Sequence, residues 1–251
     1  MPTCIQDIIN DLSTIVRQCE TAGSKAGYFA ALYKRMTIAV FENIQAGNFE
    51  DGARMERLDI VFAQRYLQAF NTYFANANCT VSWKQAFDAC KDDSLIVLQH
   101  LLLGINTHIN LDLAIAAAEV APGESIYAMH NDFNRINLLI GSLMGVIQEC
   151  LSQIWLPMRV LTKISNGKQD AVLNFSIDKA RDASWASAIL LAHMNVEQRT
   201  AYIQHLDWTV SELANKIKSP GLAAGFVLRA IRGTEFDDTA HTIHLVNTIV
   251  V

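Results

Sequence analysis

Cysteine is scarce in this chain and carries no pattern. Cys4, Cys19, Cys79, Cys90 and Cys150 are odd in number and widely scattered, and no CxxC pair occurs. A zinc ribbon and a disulfide framework are therefore excluded, and a reduced, cytoplasmic setting is expected. Charge is also thin. Charged residues are 18% of 251, the net charge is −5, and there is no basic block. Nucleic acid is thus not an expected partner, since phosphate recognition needs clustered Lys and Arg. No run of 18 uninterrupted apolar residues exists, so no membrane span is expected. The opening MPTCIQDIIND has no basic segment followed by an apolar run, so no secretory signal is expected.

Familiar chemical motifs are missing as well. There is no Glu-x-x-His, which argues against a ferritin-like di-iron bundle, and no adjacent His-Asp pair. Asp92–Asp93 is followed by Ser, Leu and Ile, so the aspartate-rich motif of isoprenoid cyclases is incomplete. GxGxxG, the Walker loop and GxSxG are all absent.

What remains is apolar residues at helical spacing. Four prolines and twelve glycines fall mostly between periodic segments. The periodicity predicts helices over 3–22, 25–46 (stopped by Gly47), 51–76, 83–89, 94–121, 125–156 (ending at Pro157), 178–194, 195–218 and 222–232. Thr3/Gln6 and Ser82/Gln85 have capping-box spacing, Asp92, Asp93 and Ser94 load the start of the fifth helix, and Asn195 is placed to cap a helix. Residues 158–176 read as irregular, with a turn at Asn166–Gly167. The tail, 233–251, ends HTIHLVNTIVV and reads as an extended arm. Neither strand pairs nor internal repeats are evident. The expected fold is one all-α domain, 1–251, a multi-helix bundle around the segment 94–121.

That central segment, SLIVLQHLLLGINTHINLDLAIAAAEVA, carries a polar line. His100, Gly104, His108 and Asp112 recur every four residues, each step turning the position by about 40° on an α-helix. Nine of the 28 residues are polar or charged. His108 and Asp112, at i and i+4, have the spacing of a metal-ligand or hydrogen-bonded pair. His100 is about 11 Å of rise below His108, so the two do not easily share one ion. Asp59 is the next candidate, a carboxylate among Met55, Leu58 and Phe62 that needs a partner if buried: Arg65, Tyr66, a histidine or a cation. Glu56 reads as a surface ion pair with Arg54 or Arg57. Of His130 and Asp132, two apart, at most one faces the core, and Asp132 reads equally as a first-turn acid. His193, His205, His241 and His244 read as structural, Trp83, Trp155, Trp185 and Trp208 as core anchors, and Lys179, Arg181 and Asp182 as a solvated face. The bland alternative for the polar line is a row of core groups bonded to facing helices.

Three segments, MERLDIVFAQRYLQAF (55–70), LQHLLLGINTHINLDLAIAAAE (98–119) and NDFNRIN (131–137), together resemble a bacterial family of helical proteins, domain of unknown function 5995. The resemblance covers about residues 27–190 and implies a helical fold without an assigned activity. It places Asp59, His100, Asn106, His108, Asp112 and Asp132 on the family's characteristic segments. His108 and Asp112 are also similar to the His-x-x-x-Asp pair of the zinc-dependent phospholipase C class. That class's N-terminal tryptophan ligand and further histidine-rich helices are missing, which speaks against a three-zinc cluster.

The first expectation is an enzyme with a buried His/Asp pocket. One divalent metal, zinc or iron, would sit on His108, Asp112 and either Asp59 or His100. The chemistry would be metal-assisted hydrolysis or an acid–base step on a small, partly apolar molecule, with His100, His108, Asp59 and Asp132 as catalytic candidates. The second is a metal-free binding or acid–base protein for a lipid-like ligand. The third is a structural or interaction role. The oligomeric state is not legible.

Overall fold

Helix α1 (Ile5–Ala22) turns Ile5, Ile8, Leu12, Ile15, Val16 and Cys19 inward, at the 3.6-residue period the sequence shows. It ends at Gly23, whose φ of 60° suits glycine. Helix α2 (Ala26–Gln45) is buried almost all round over its first two turns and stops at Gly47, φ 70°. The computed structural model describes residues 2–136, 139, 168–219, 228, 232, 233, 235 and 237–248. The expected helix end at Pro157, the turn at Asn166–Gly167, the expected helix over 222–232 (apart from 228 and 232), Trp155 and Cys150 lie outside these residues.

Helix α3 (Gly52–Phe74) is capped by Asp51, whose carboxylate accepts from Arg54 N. Helix α4 (Val81–Ala89) is short and amphipathic. Helix α5 (Val97–Val120) is the central element, long and apolar enough to cross a membrane by length and composition. In this fold 83% of its most apolar window is buried inside the protein, so it is the core helix of the domain. Its middle, His108–Leu113, is a π-turn. Helix α6 (Ser125–Ala128) is a single turn, and α7 is described over 130–136. Helices α8 (Lys168–His193), α9 (Val196–Lys218) and α10 (Thr239–Asn247) complete one helical domain. Helices α2, α3, α4, α8 and α9 pack around α5, while α1 and α10 cover the outer side of α2.

Several local expectations change. The N-cap of α1 is Cys4, and Thr3 bonds Asp7 through N and Oγ1 at 2.9 and 3.0 Å rather than pairing with Gln6. Ser82 does not open a capping box with Gln85. The Val81 and Ser82 N–H groups donate instead to Asp207 on α9, at 2.7 and 2.9 Å. The acids Asp92 and Asp93 lie before α5, not in its first turn: Asp92 bonds Ser94, and Asp93 pairs with Lys25. The Asn195–Gln198 capping box of α9 is present.

Helix α8 begins at Lys168, so residues 168–176 are helical rather than irregular. The stretch after Gly167 holds no Gly or Pro to break a helix. The tail is not an extended arm over 239–247. Asp238 caps α10 at His241 N, and Thr242, Ile243 and Val246 are fully buried. Burial of that one stripe overrides the β preference of Thr, Ile and Val. Gly27 lets α10 approach, because a Cβ there would fall on the Ile243 side chain and 2.7 Å from the Cys19 Cβ. Trp208 is 57% exposed, not a core anchor, and Arg181 is 3% exposed, not on a solvated face. Arg181 donates to the Phe133 carbonyl at 2.6 Å and lies over the Phe133 ring.

Candidate active site between α2, α3 and α5

The π-turn in α5 carries the two residues the sequence singled out. An i→i+5 turn inserts one residue into the helix, and such turns concentrate at functional sites. His108 Nδ1 lies 3.2 Å from Asp112 Oδ2. The same oxygen accepts from Trp83 Nε1 at 2.8 Å, and Oδ1 accepts from Arg65 Nε at 3.0 Å. A carboxylate holding an indole N–H and a guanidinium offers only lone pairs, so the histidine nitrogen facing it carries the proton. In the neutral ring Nε2 is then the free lone pair. Burial holds His108 below its ordinary pKa, against the opposing pull of Asp112. The ring is therefore neutral near pH 7.

Aromatic side chains enclose that imidazole. Phe62 stacks on it with centroids 3.6 Å apart, and Tyr33 meets it edge-on at 4.3 Å. Phe29, Trp83 and Tyr66 stand farther out, at 5.6–6.1 Å. Gly104 makes room for this packing, since a Cβ there would overlap the Phe29 ring and lie 2.9 Å from its Cβ.

Beside the imidazole is an apolar cavity. Its described walls include Leu32, Met36 and Val40 of α2, Met55, Leu58 and Phe62 of α3, and Ile105, Ile109 and Leu113 of α5. Asp59, Tyr33, Thr37, His108 and Arg181 are the polar exceptions. The space open to the centre of a water molecule is about 90 Å³. Half-buried Met36, Phe62 and Ile105 bring its wall toward the surface.

Three buried polar atoms on this wall have no hydrogen-bond partner among the described residues: His108 Nε2, Asp59 Oδ2 and the Tyr33 hydroxyl. Asp59 is 7% exposed, and burial, with the Glu56 charge adding, raises its pKa to about 7. Burial also lifts the Tyr33 phenol well above its ordinary value, so it stays protonated.

The family described as Family of unknown function (DUF5995) matches residues 5–220. The chain belongs to this family. No curated protein and no solved structure matches it. The DUF5995 match covers α1 to α9, including every described residue of the His108 cage and the cavity wall, and it ends before α10.

Other residues named from the sequence lie elsewhere in the DUF5995 fold. His100 is 5% exposed and lines a second, polar cavity near the start of α5. Asp132 is fully buried, and both oxygens are used. They accept from Glu50 N at 2.7 Å, Asp51 N at 3.0 Å and Arg54 at 3.1 Å, fastening α7 to the start of α3. Asn106 bonds the Val210 carbonyl of α9. Neither Asp132 nor Asn106 lines the cavity. Arg65 serves Asp112 rather than Asp59, and Glu56 pairs with neither Arg54 nor Arg57 among the described residues.

A metal on His108 and Asp112 would have to take Asp112 from Trp83 and Arg65. Among the described residues no group of three or more His, Cys, Asp or Glu could hold an ion. Sequence reasoning missed Tyr33 and Trp83 as parts of the site, and offered Arg65 to Asp59 where it serves Asp112. Each sits on an apolar helical stripe or beside one, and nothing local marks which core aromatic faces a histidine.

Proposed function

We propose that this protein binds a slender, largely apolar molecule with one polar head group, and that the head meets His108, Asp59 and Tyr33. The supporting observation is the trio of unpartnered buried polar atoms on one apolar cavity. A buried polar group without a partner costs about 1–3 kcal/mol, so three on one wall call for an external partner. An interior of about 90 Å³ is smaller than the engineered apolar cavity of roughly 150 Å³ that binds benzene. It suits a narrow chain entering from the half-buried wall, and a bulky sugar does not fit.

The three groups differ in what they offer a ligand. His108 Nε2 accepts a proton, with Asp112 holding the tautomer. Asp59, near pH 7, is able to donate or accept one, and Tyr33 donates a hydrogen bond. A hydroxyl head would satisfy all three, donating to His108 Nε2 and accepting from Tyr33 and protonated Asp59, and a donor–acceptor pair so placed suits acid–base chemistry on it. Metal-assisted hydrolysis draws less support, because His108 and Asp112 bond each other and their neighbours.

The test is fluorescence of Trp83, whose indole N–H bonds Asp112, read in a variant with Trp155, Trp185 and Trp208 replaced by Phe. Decanol and decanoate titrated into the protein should give saturable quenching, weakened in Tyr33→Phe and His108→Phe. Absence of a saturable response to either, with no small molecule co-purifying, overturns the proposal.

A further inference from the structure

The second cavity lies at the N-terminal end of α5 and has no part in the site above. Its interior is larger, about 330 Å³, and its walls are polar: Lys25, Tyr28, His100, Arg232, Glu235 and Thr239 among them. The first N–H of α5, Val97 N, points at the Glu235 carboxylate, with Oε1 and Oε2 at 3.2 and 3.3 Å. A helix N-terminus favours such an anion. His100 is 5% exposed, and neither ring nitrogen has a partner among the described residues.

We infer that this cavity is a binding site for a small oxyanion, a carboxylate or phosphate group, for which Glu235 is the built-in stand-in. The internal carboxylate is weakly held. Its only hydrogen bond among the described residues is the long, shared one from Val97. Burial raises its pKa to about 7, despite nearby Lys25 and Arg232, with Asp237 opposing them. The two cations are within reach of a newcomer. Lys25 pairs with Asp93 at 2.7 Å and Arg232 with Asp237 at 2.5 Å, but those aspartates are 90% and 82% exposed. The cations are 13% and 23% exposed and are also held by the Asp92 and Asp93 carbonyls, at 3.2 and 2.6 Å, so what a newcomer would displace is only the exposed carboxylate on each, a partner held loosely. An oxyanion reaching Val97 N would displace Glu235 toward solvent, accept from Lys25 or Arg232, and give His100 the partner it lacks. The cavity takes in Glu235, which lies beyond the family match, so the chain after residue 220 helps to shape it.

Calorimetric titration of inorganic phosphate, and separately of acetate, into the full chain tests this. Removing the internal competitor in Glu235→Ala should tighten binding of one of them by about tenfold. His100→Phe or Lys25→Met, added to that variant, should reverse the gain. Whichever anion responds names the ligand chemistry. If Glu235→Ala does not fold, Glu235→Gln should shift binding in the same direction by less, because it keeps the acceptor and loses the charge. Two results overturn the inference: neither anion binds saturably to the Glu235 variant, or binding ignores His100→Phe and Lys25→Met alike.

Discussion

His108 Nδ1 and Asp112 Oδ2 are 3.2 Å apart within one π-turn of the central helix, and the carboxylate is held from two other helices by Trp83 and Arg65. The pair is thus a fixed unit that aims the other imidazole nitrogen, Nε2, into the cavity wall. Asp112 orients and His108 presents.

Removing Asp112 tests that unit. Asp112→Ala leaves an indole N–H, a guanidinium and an imidazole facing an empty position, and should cost about 3–5 kcal/mol, as for a broken buried pair. Asp112→Asn keeps the shape but turns an NH₂ toward one donor, and should cost about 1–3 kcal/mol. It should also move the His108 proton to Nε2. Urea melts give the costs, and ¹⁵N spectra of the imidazole give the tautomer. Near-wild-type stability for both variants contradicts the arrangement.

Asp59 makes stability fall as pH rises. Its ordinary pKa is 3.8 and its folded value about 7. Between these the folded state keeps a proton that the unfolded state has lost, so unfolding is favoured increasingly up to about pH 7. A difference of that size corresponds to at most about 4 kcal/mol. Asp59→Asn removes the ionisation and should be more stable than wild type at pH 8, by a margin that shrinks to about 1–2 kcal/mol at pH 5. Thermal melts at the two pH values measure this, and a pH-independent difference contradicts it.

Much of the fold was legible because amphipathic stripes repeat at 3.6 residues, as with Ile5 to Cys19 and Met55 to Ala69. The inward placement of His100, His108, Asp59 and Asp112 followed from the same period. Their partners did not. Trp83 is 29 residues from Asp112 and Arg65 is 47, and no spacing rule reaches that far. Asp132 looked like a first-turn acid because its own helix hides that it accepts from the Glu50 and Asp51 N–H groups just before α3. Helix α10 was misread as an arm because its β-branched residues are held helical by Gly27 and Asp238. The π-turn leaves no mark in composition.

Phe29 and Gly104 bear on the fold directly. The ring lies where a Cβ on residue 104 would be, so Gly104→Ala overpacks the joint between α2 and α5. A loss of about 1–3 kcal/mol is expected, with partial recovery on adding Phe29→Leu. Urea melts of the single and double variants decide it, and an unchanged midpoint for Gly104→Ala contradicts the close approach.

Ile243 measures the docking of α10. It is fully buried against Gly27 and Cys19. Ile243→Ala should cost about 2–5 kcal/mol. A cost within about 0.5 kcal/mol, as at an exposed site, would mean that α10 does not stay docked.

The central claim is that the cavity beside His108 takes an apolar ligand. Met36 and Met55 line that cavity, while Met129 and Met194 do not. In protein carrying ¹³C-labelled methionine methyl groups, added decanol should shift the Met36 and Met55 signals in a saturable way and show cross-peaks from its methylene protons to both. Met129 and Met194 should stay in place. Unmoved Met36 and Met55 signals at saturating decanol, or contacts to other methionines instead, would contradict the account.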